Sequence, residues 1–167
     1  MESEKVFDTK VKFGGVFSYK DFYKFCYDWL VDECGLDVEE SEYGEKISGS
    51  SKEVTIKWKA TRKVTDYFMF EAKIEWKILG LSEVEVMQSD NKVKMNKCIS
   101  LSLGIKGNLI RDYEGKWEKN ATLKFWRGIY EKYVIKARIN EYEGKLAGML
   151  EEFSEQSKAY LTLEGKR

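Results

Sequence analysis

Residues 5–13 alternate in polarity, with Phe7, Thr9, Val11 and Phe13 on one side and Val6, Asp8, Lys10 and Lys12 on the other. A period of two marks a half-buried strand, and Gly14-Gly15 is expected to end it. The period then changes. Ser18 and Asp21 resemble a capping box with the shorter acid. Behind them Phe22, Phe25, Cys26, Trp29 and Leu30 fall within one helical arc, and Gly35 stands as a stop. These positions predict an amphipathic helix over 18–34.

The middle of the chain returns to alternation. Val54, Ile56, Trp58 and Ala60 alternate with Thr55, Lys57, Lys59 and Thr61. Phe68, Phe70, Ala72, Ile74, Trp76 and Ile78 alternate with Met69, Glu71, Lys73, Glu75 and Lys77. Val84 and Val86, and then Ile99, Leu101, Leu103 and Ile105, repeat the pattern, and residues 37–47 add a strand dominated by acids. Turn signals stand at Gly49-Ser50-Ser51, Thr65-Asp66, Gly80 and Ser89-Asp90-Asn91. Short links and clean alternation predict an antiparallel meander with one wet and one buried face.

After Gly115 the helical period returns. From 121 to 138, Phe125, Trp126, Ile129, Tyr130, Tyr133, Val134 and Ala137 occupy about half the circumference. A narrower stripe follows: Ile139, Tyr142, Leu146, Met149, Leu150, Phe153 and Tyr160. Gly144 and Gly148 weaken that second helix and predict a break or bend near 139–144. Residues 161–167 are expected to fray or to pair as a short strand.

The order is strand, helix, several antiparallel strands and a long helical end. It resembles the helix-grip architecture of the SRPBCC family (START and Bet v 1-like domains). The resemblance implies an α+β fold in which a curved antiparallel sheet of about six to seven strands packs on an N-terminal helix and a long C-terminal helix. It rests on element order alone, with one helix rather than two after the first strand, and no family motif carries functional residues over. In such a fold Trp58, Phe70, Trp76 and Leu101 from the sheet, with Trp126 and Tyr133 from the helices, would line a cavity for a small hydrophobic ligand or lipid, or fill a closed core.

Composition narrows the chemistry. A chain of 167 residues is expected to form one domain, strand-rich over 5–111 apart from helix 18–34, and helical over 121–160. It has no histidine, so Ser–His and Cys–His dyads and histidine-ligated metals are excluded. Nothing replaces them. Strand alternation splits Glu39 from Glu40 and Glu42, and Asp112, Glu114 and Glu118 lack the rhythm of a calcium loop. Cys26, Cys34 and Cys98 form no C-x-x-C pair and read as idle thiols. A binding protein is expected rather than an enzyme, with no catalytic residue, metal or cofactor. The acidic start and the absence of a long apolar run lead to a cytoplasmic expectation with no transmembrane segment.

Charge leads further. The 29 basic and 29 acidic residues cancel, yet Lys116, Lys119, Lys124, Arg127, Lys132, Lys136 and Arg138 face only Glu118 and Glu131 within 116–138. The remainder of the chain to residue 167 is acidic. A face bearing Lys124, Arg127, Lys132 and Arg138 would contact phosphates of a nucleic acid or an anionic surface. The interleaved aromatics are expected on the opposite, buried face. The stripe Tyr142, Leu146, Met149, Leu150 and Phe153, if unpartnered within the chain, would form an apolar ridge wanting a second copy. The leading expectation is a non-enzymatic interaction protein, self-associating as a homo-oligomer through that helix. A hydrophobic-ligand carrier and a nucleic-acid or anionic-surface binder are the alternatives.

Overall fold

The computed structural model describes residues 1–116 and 120–165. Five strands, β1 (Glu2–Phe17), β2 (Asp37–Ser48), β3 (Ser51–Lys63), β4 (Phe68–Gln88) and β5 (Asn91–Arg111), form one antiparallel sheet in the order β1-β5-β4-β3-β2. Between β1 and β2 runs α1 (Tyr19–Asp28), continued by a wide π turn over Trp29–Glu33. After β5 come α2 (Ala121–Ile129), a second π turn (Tyr130–Val134) and α3 (Lys136–Gly165). The class is α+β, with a five-stranded antiparallel sheet.

Five strands replace the expected six or seven because one turn signal is not a turn. Residues 68–88 form a single strand through Gly80, whose φ of +64° kinks it without reversing it. The inward positions change parity there, from Ile78 to Leu81. Gly14-Gly15 likewise sits inside β1, where a register shift between Phe13 and Gly15 marks a bulge rather than an end. The genuine hairpins are tight. Gly49 with φ +63° sets the β2–β3 turn, and Ser89 and Asp90 at φ +48° and +67° set the β4–β5 turn.

Ser18 caps α1, its Oγ accepting from the Asp21 amide at 3.4 Å, and Gly35 at φ +67° follows the π turn. α1 buries Phe22 and Cys26 on the sheet. The ring of Phe22 lies 5.3 Å from Trp76, and that of Tyr23 lies 5.0 Å from Trp58. α3 crosses the same face beside β1 and β5, from Tyr142 near Phe68 (5.0 Å) to Tyr160 near Phe25 (4.7 Å). Small residues let α1 and α3 meet: Cys26 Sγ lies 4.0 Å from Ser157 Oγ.

α3 is also seated by a glycine. An added Cβ at Gly107 of β5 would lie 2.4 Å from Leu150 Cδ1 and 3.4 Å from Phe7 Cβ. The helix therefore rests directly on the strand. α3 has no break near 139–144. The interruption lies earlier, at the π turn and Ile135 (φ −116°, ψ 10°), and the helix continues through Gly165 instead of fraying at 161. Exposed Gly144 and Gly148 meet no neighbour within 4 Å, so their cost is only the modest helical propensity of glycine.

Candidate functional site

The expected cavity residues divide. Trp58, Phe70, Trp76 and Leu101 are buried between sheet and helices, where they touch one another's neighbours directly: the Trp58 and Trp76 rings are 5.2 Å apart. Trp126 and Tyr133, expected beside them, are instead 53% and 72% exposed. The stripe of α3 also differs from its expectation as a ridge. Leu146, Leu150 and Phe153 are fully buried against the sheet, and Tyr142 and Met149 are half-buried on the same core. That stripe finds its partner within the chain, so it offers no apolar ridge to a second copy.

The outward turn of Trp126 has a physical cause. Asn120 caps α2, its Oδ1 accepting from the Leu123 amide at 2.9 Å. At about 100° per residue, Phe125, Ile129, Tyr133 and Trp126 share an arc and Arg127 lies about 100° beyond Trp126, on the other side of the helix. The helix docks through Arg127. This side chain is 9% exposed, donates to Glu2 Oε1 at 2.9 Å and lies 3.6 Å from the carboxylate of Asp112. Asp112 is itself buried at the end of β5 with φ +52°, a left-handed conformation that Asp tolerates. Because the helix is held by a charge on the side away from its apolar arc, the arc faces solvent, and Phe125 is left 64% exposed.

The following turn repeats the device. Tyr67 donates to Glu131, which also receives Arg111 Nη1 at 3.4 Å. Arg111 continues to Glu4 at 3.2 Å and Glu2 at 3.6 Å. Burial and the neighbouring Glu131 carboxylate hold the Tyr67 phenol well above its ordinary pKa, so it remains a donor. The only acid between Asn120 and Asn140 is thereby turned inward.

What remains outside is of one sign. Lys124, Lys132, Lys136 and Arg138 are exposed and make no ion pair among the described residues. Lys132 Nζ lies 5.3 Å from the Tyr133 ring centre. Arg127, expected on this basic face, belongs to the anchor instead. Lys116 is held by Glu114 at 2.6 Å, whereas Lys119 and Glu118 lie outside the described residues. The elbow thus presents Phe125, Trp126 and Tyr133 on a segment that also exposes four cations.

The remaining candidates are quiet. Burial raises the thiol pKa of Cys26 beyond the range of titration and that of Cys34 to about 11, so neither is a ready nucleophile. Among the described residues, no group of three or more acids or thiols is placed to hold a metal ion. No helix among them is long and apolar enough to cross a membrane. No known family model matches the chain, and neither a curated protein nor a solved structure is significantly similar to it.

Proposed function

We propose that the protein is a peripheral binding protein that attaches to anionic lipid surfaces through the α2 elbow. The observation that carries this reading is the coexistence of three exposed rings, Phe125, Trp126 and Tyr133, with four exposed cations that have no ion pair among the described residues, on a segment whose only acid faces inward. Exposed aromatic side chains seat in the headgroup region while nearby Lys and Arg meet anionic lipid. Each ring that leaves water contributes roughly 1.5–3 kcal/mol, and each basic residue close to the surface about 1 kcal/mol. The sum is enough for reversible attachment. A cytoplasmic location fits, because the cytoplasmic leaflet carries the anionic lipid. The helix-grip-like reading of the fold is kept here in the same spirit: α3 lying across one face of a single antiparallel sheet supports it, in a version with fewer strands.

Vesicle sedimentation tests the function. Wild-type protein should pellet with vesicles of phosphatidylcholine containing 30 mol% phosphatidylserine and remain in solution with phosphatidylcholine alone. Phe125→Ser/Trp126→Ser should weaken binding by about 100-fold or more, from two rings at the energies above, with an unchanged thermal midpoint. Binding that survives the double substitution refutes the reading. The same rings support a second one, stacking of single-stranded nucleic acid bases, which predicts that an oligonucleotide competes with the vesicles.

A further inference from the structure

The face of the sheet turned away from the helices carries a second concentration of charge. The register sets Lys106 of β5, Lys73 of β4 and Lys59 of β3 side by side, with neighbouring strands about 4.7–4.9 Å apart. Like charges directly opposite destabilise a sheet. The row ends in an acid on either side, Asp8 of β1 opposite Lys106 and Glu39 of β2 opposite Lys59, so the like charges are concentrated on the three central strands. Glu71 relieves part of the repulsion, its carboxylate lying 3.8 Å from both Lys59 and Lys73. Lys106, Lys77 and Lys10 have no ion-pair partner among the described residues.

Shape accompanies the charge. On β5, Ser102 and Gly104 stand where long side chains would otherwise fill the middle of the sheet. They leave a depression of about 560 Å³ rimmed by Lys10, Lys73, Lys77 and Lys106. Two acids line it: Asp8 is held by Lys5 at 3.3 Å, and Glu75 lies between Lys73 and Lys77 along β4 and opposite Lys57 on β3. Lys57 in turn pairs with Glu42 at 3.3 Å. No aromatic ring reaches the depression, since the one aromatic residue along it, Trp58, buries its side chain on the other face. Bases would have nothing to stack on.

We propose that this depression binds a small-molecule oligophosphate, whose charges run along a short chain as the lysines run across the strands. Lysine serves as a point-charge partner for phosphate oxygens, and three strands' width of them offers several such contacts at once. The site is separate from the α2 elbow and does not depend on the lipid reading. Calorimetric titration of the full chain with inorganic tripolyphosphate at 50 mM NaCl tests it. One-to-one saturable binding is expected, weakened at least tenfold in Lys77→Gln/Lys106→Gln and unchanged in Lys124→Gln/Lys132→Gln. Both variants change only exposed side chains, and an unchanged urea midpoint confirms their folding. The proposal falls if tripolyphosphate gives no saturable binding, or if the sheet variant binds like wild type. It falls equally if citrate binds as well, which would show charge without phosphate recognition, or if a twelve-residue oligothymidine binds more tightly, which would mark a nucleic-acid surface.

Discussion

The seating of α3 on Gly107 predicts a specific coupling. In Gly107→Ala the new methyl carbon would lie 2.4 Å from Leu150 Cδ1, about 1 Å or more inside ordinary carbon contact. Leu150 is fully buried, so its side chain has little room to turn away. Overpacking of this kind costs about 1–3 kcal/mol. A counter-effect is built in, because replacing glycine in a strand restricts the unfolded chain and is worth about 0.4–1 kcal/mol where the backbone allows it. Gly107 has no left-handed φ, so that benefit applies. The net expectation is a loss of up to about 2.6 kcal/mol, which in a chain of this size lowers the thermal midpoint by at most roughly 10 °C. In a Leu150→Ala background, itself destabilised by about 2–5 kcal/mol, the clash is gone. The same Gly107→Ala change should then be neutral or stabilising. Urea unfolding of the four proteins, followed by tryptophan emission, gives the coupling as a double-mutant cycle. An equal cost in both backgrounds would sink the account and with it the reason that the α3 stripe is spent within the chain.

Two further predictions concern charge and turn geometry. Burial, followed by the negative charge of Glu4, raises the pKa of Glu143. A carboxyl with a raised folded-state pKa favours the fold below its unfolded value of about 4.3, and that contribution is lost as pH rises through the folded value. Glu143→Gln should therefore be more stable than wild type at pH 7 by a few tenths of a kcal/mol, as for other partly exposed like-charge pairs, with the difference vanishing towards pH 4. A difference that stays constant across thermal melts from pH 4 to 7 would contradict it. At the β4–β5 hairpin, Ser89 and Asp90 occupy left-handed positions that Asn-Gly fills at less cost. Ser89→Asn/Asp90→Gly should raise stability by about 1 kcal/mol, and a lower midpoint in calorimetry would refute that.

The strands and their inward faces were legible because alternation is a local property. Val54 to Ala60 and Phe68 to Ile78 could be assigned to the core from a few residues of context, and burial agrees. Strand number was harder to read. Gly80 supplies a positive φ, and a kink within a strand asks for the same residue as a turn between two strands. Only the pairing of residues on both sides of Gly80 with β5, Leu79 with Ser100 and Ser82 with Lys97, distinguishes the two. The end of α3 was missed for a similar reason. Leu161 is buried, but its partners are distant in the sequence, and the local run to Gly165 carries no strong helical pattern.

Both surfaces depend on information that no single segment contains. Along β4, Lys73, Glu75 and Lys77 read as a balanced and solvated row; the imbalance arises only when the register brings Lys59 and Lys106 beside Lys73. At the elbow, the helical period identifies an apolar arc without saying whether that arc or the other side of the helix meets the protein. That choice falls to Arg127, through carboxylates supplied by Glu2 at the start of the sheet and Asp112 at its end. Burying a paired charge tends to be neutral or costly beside burying an apolar side chain, so this orientation is not the one that maximises core. An arc of Phe125, Trp126, Ile129 and Tyr133 would contribute more if rolled inward. Its exposure follows from the ion pairs of Arg127 on the other side of the helix, with Asp112 buried and Glu2 half-exposed.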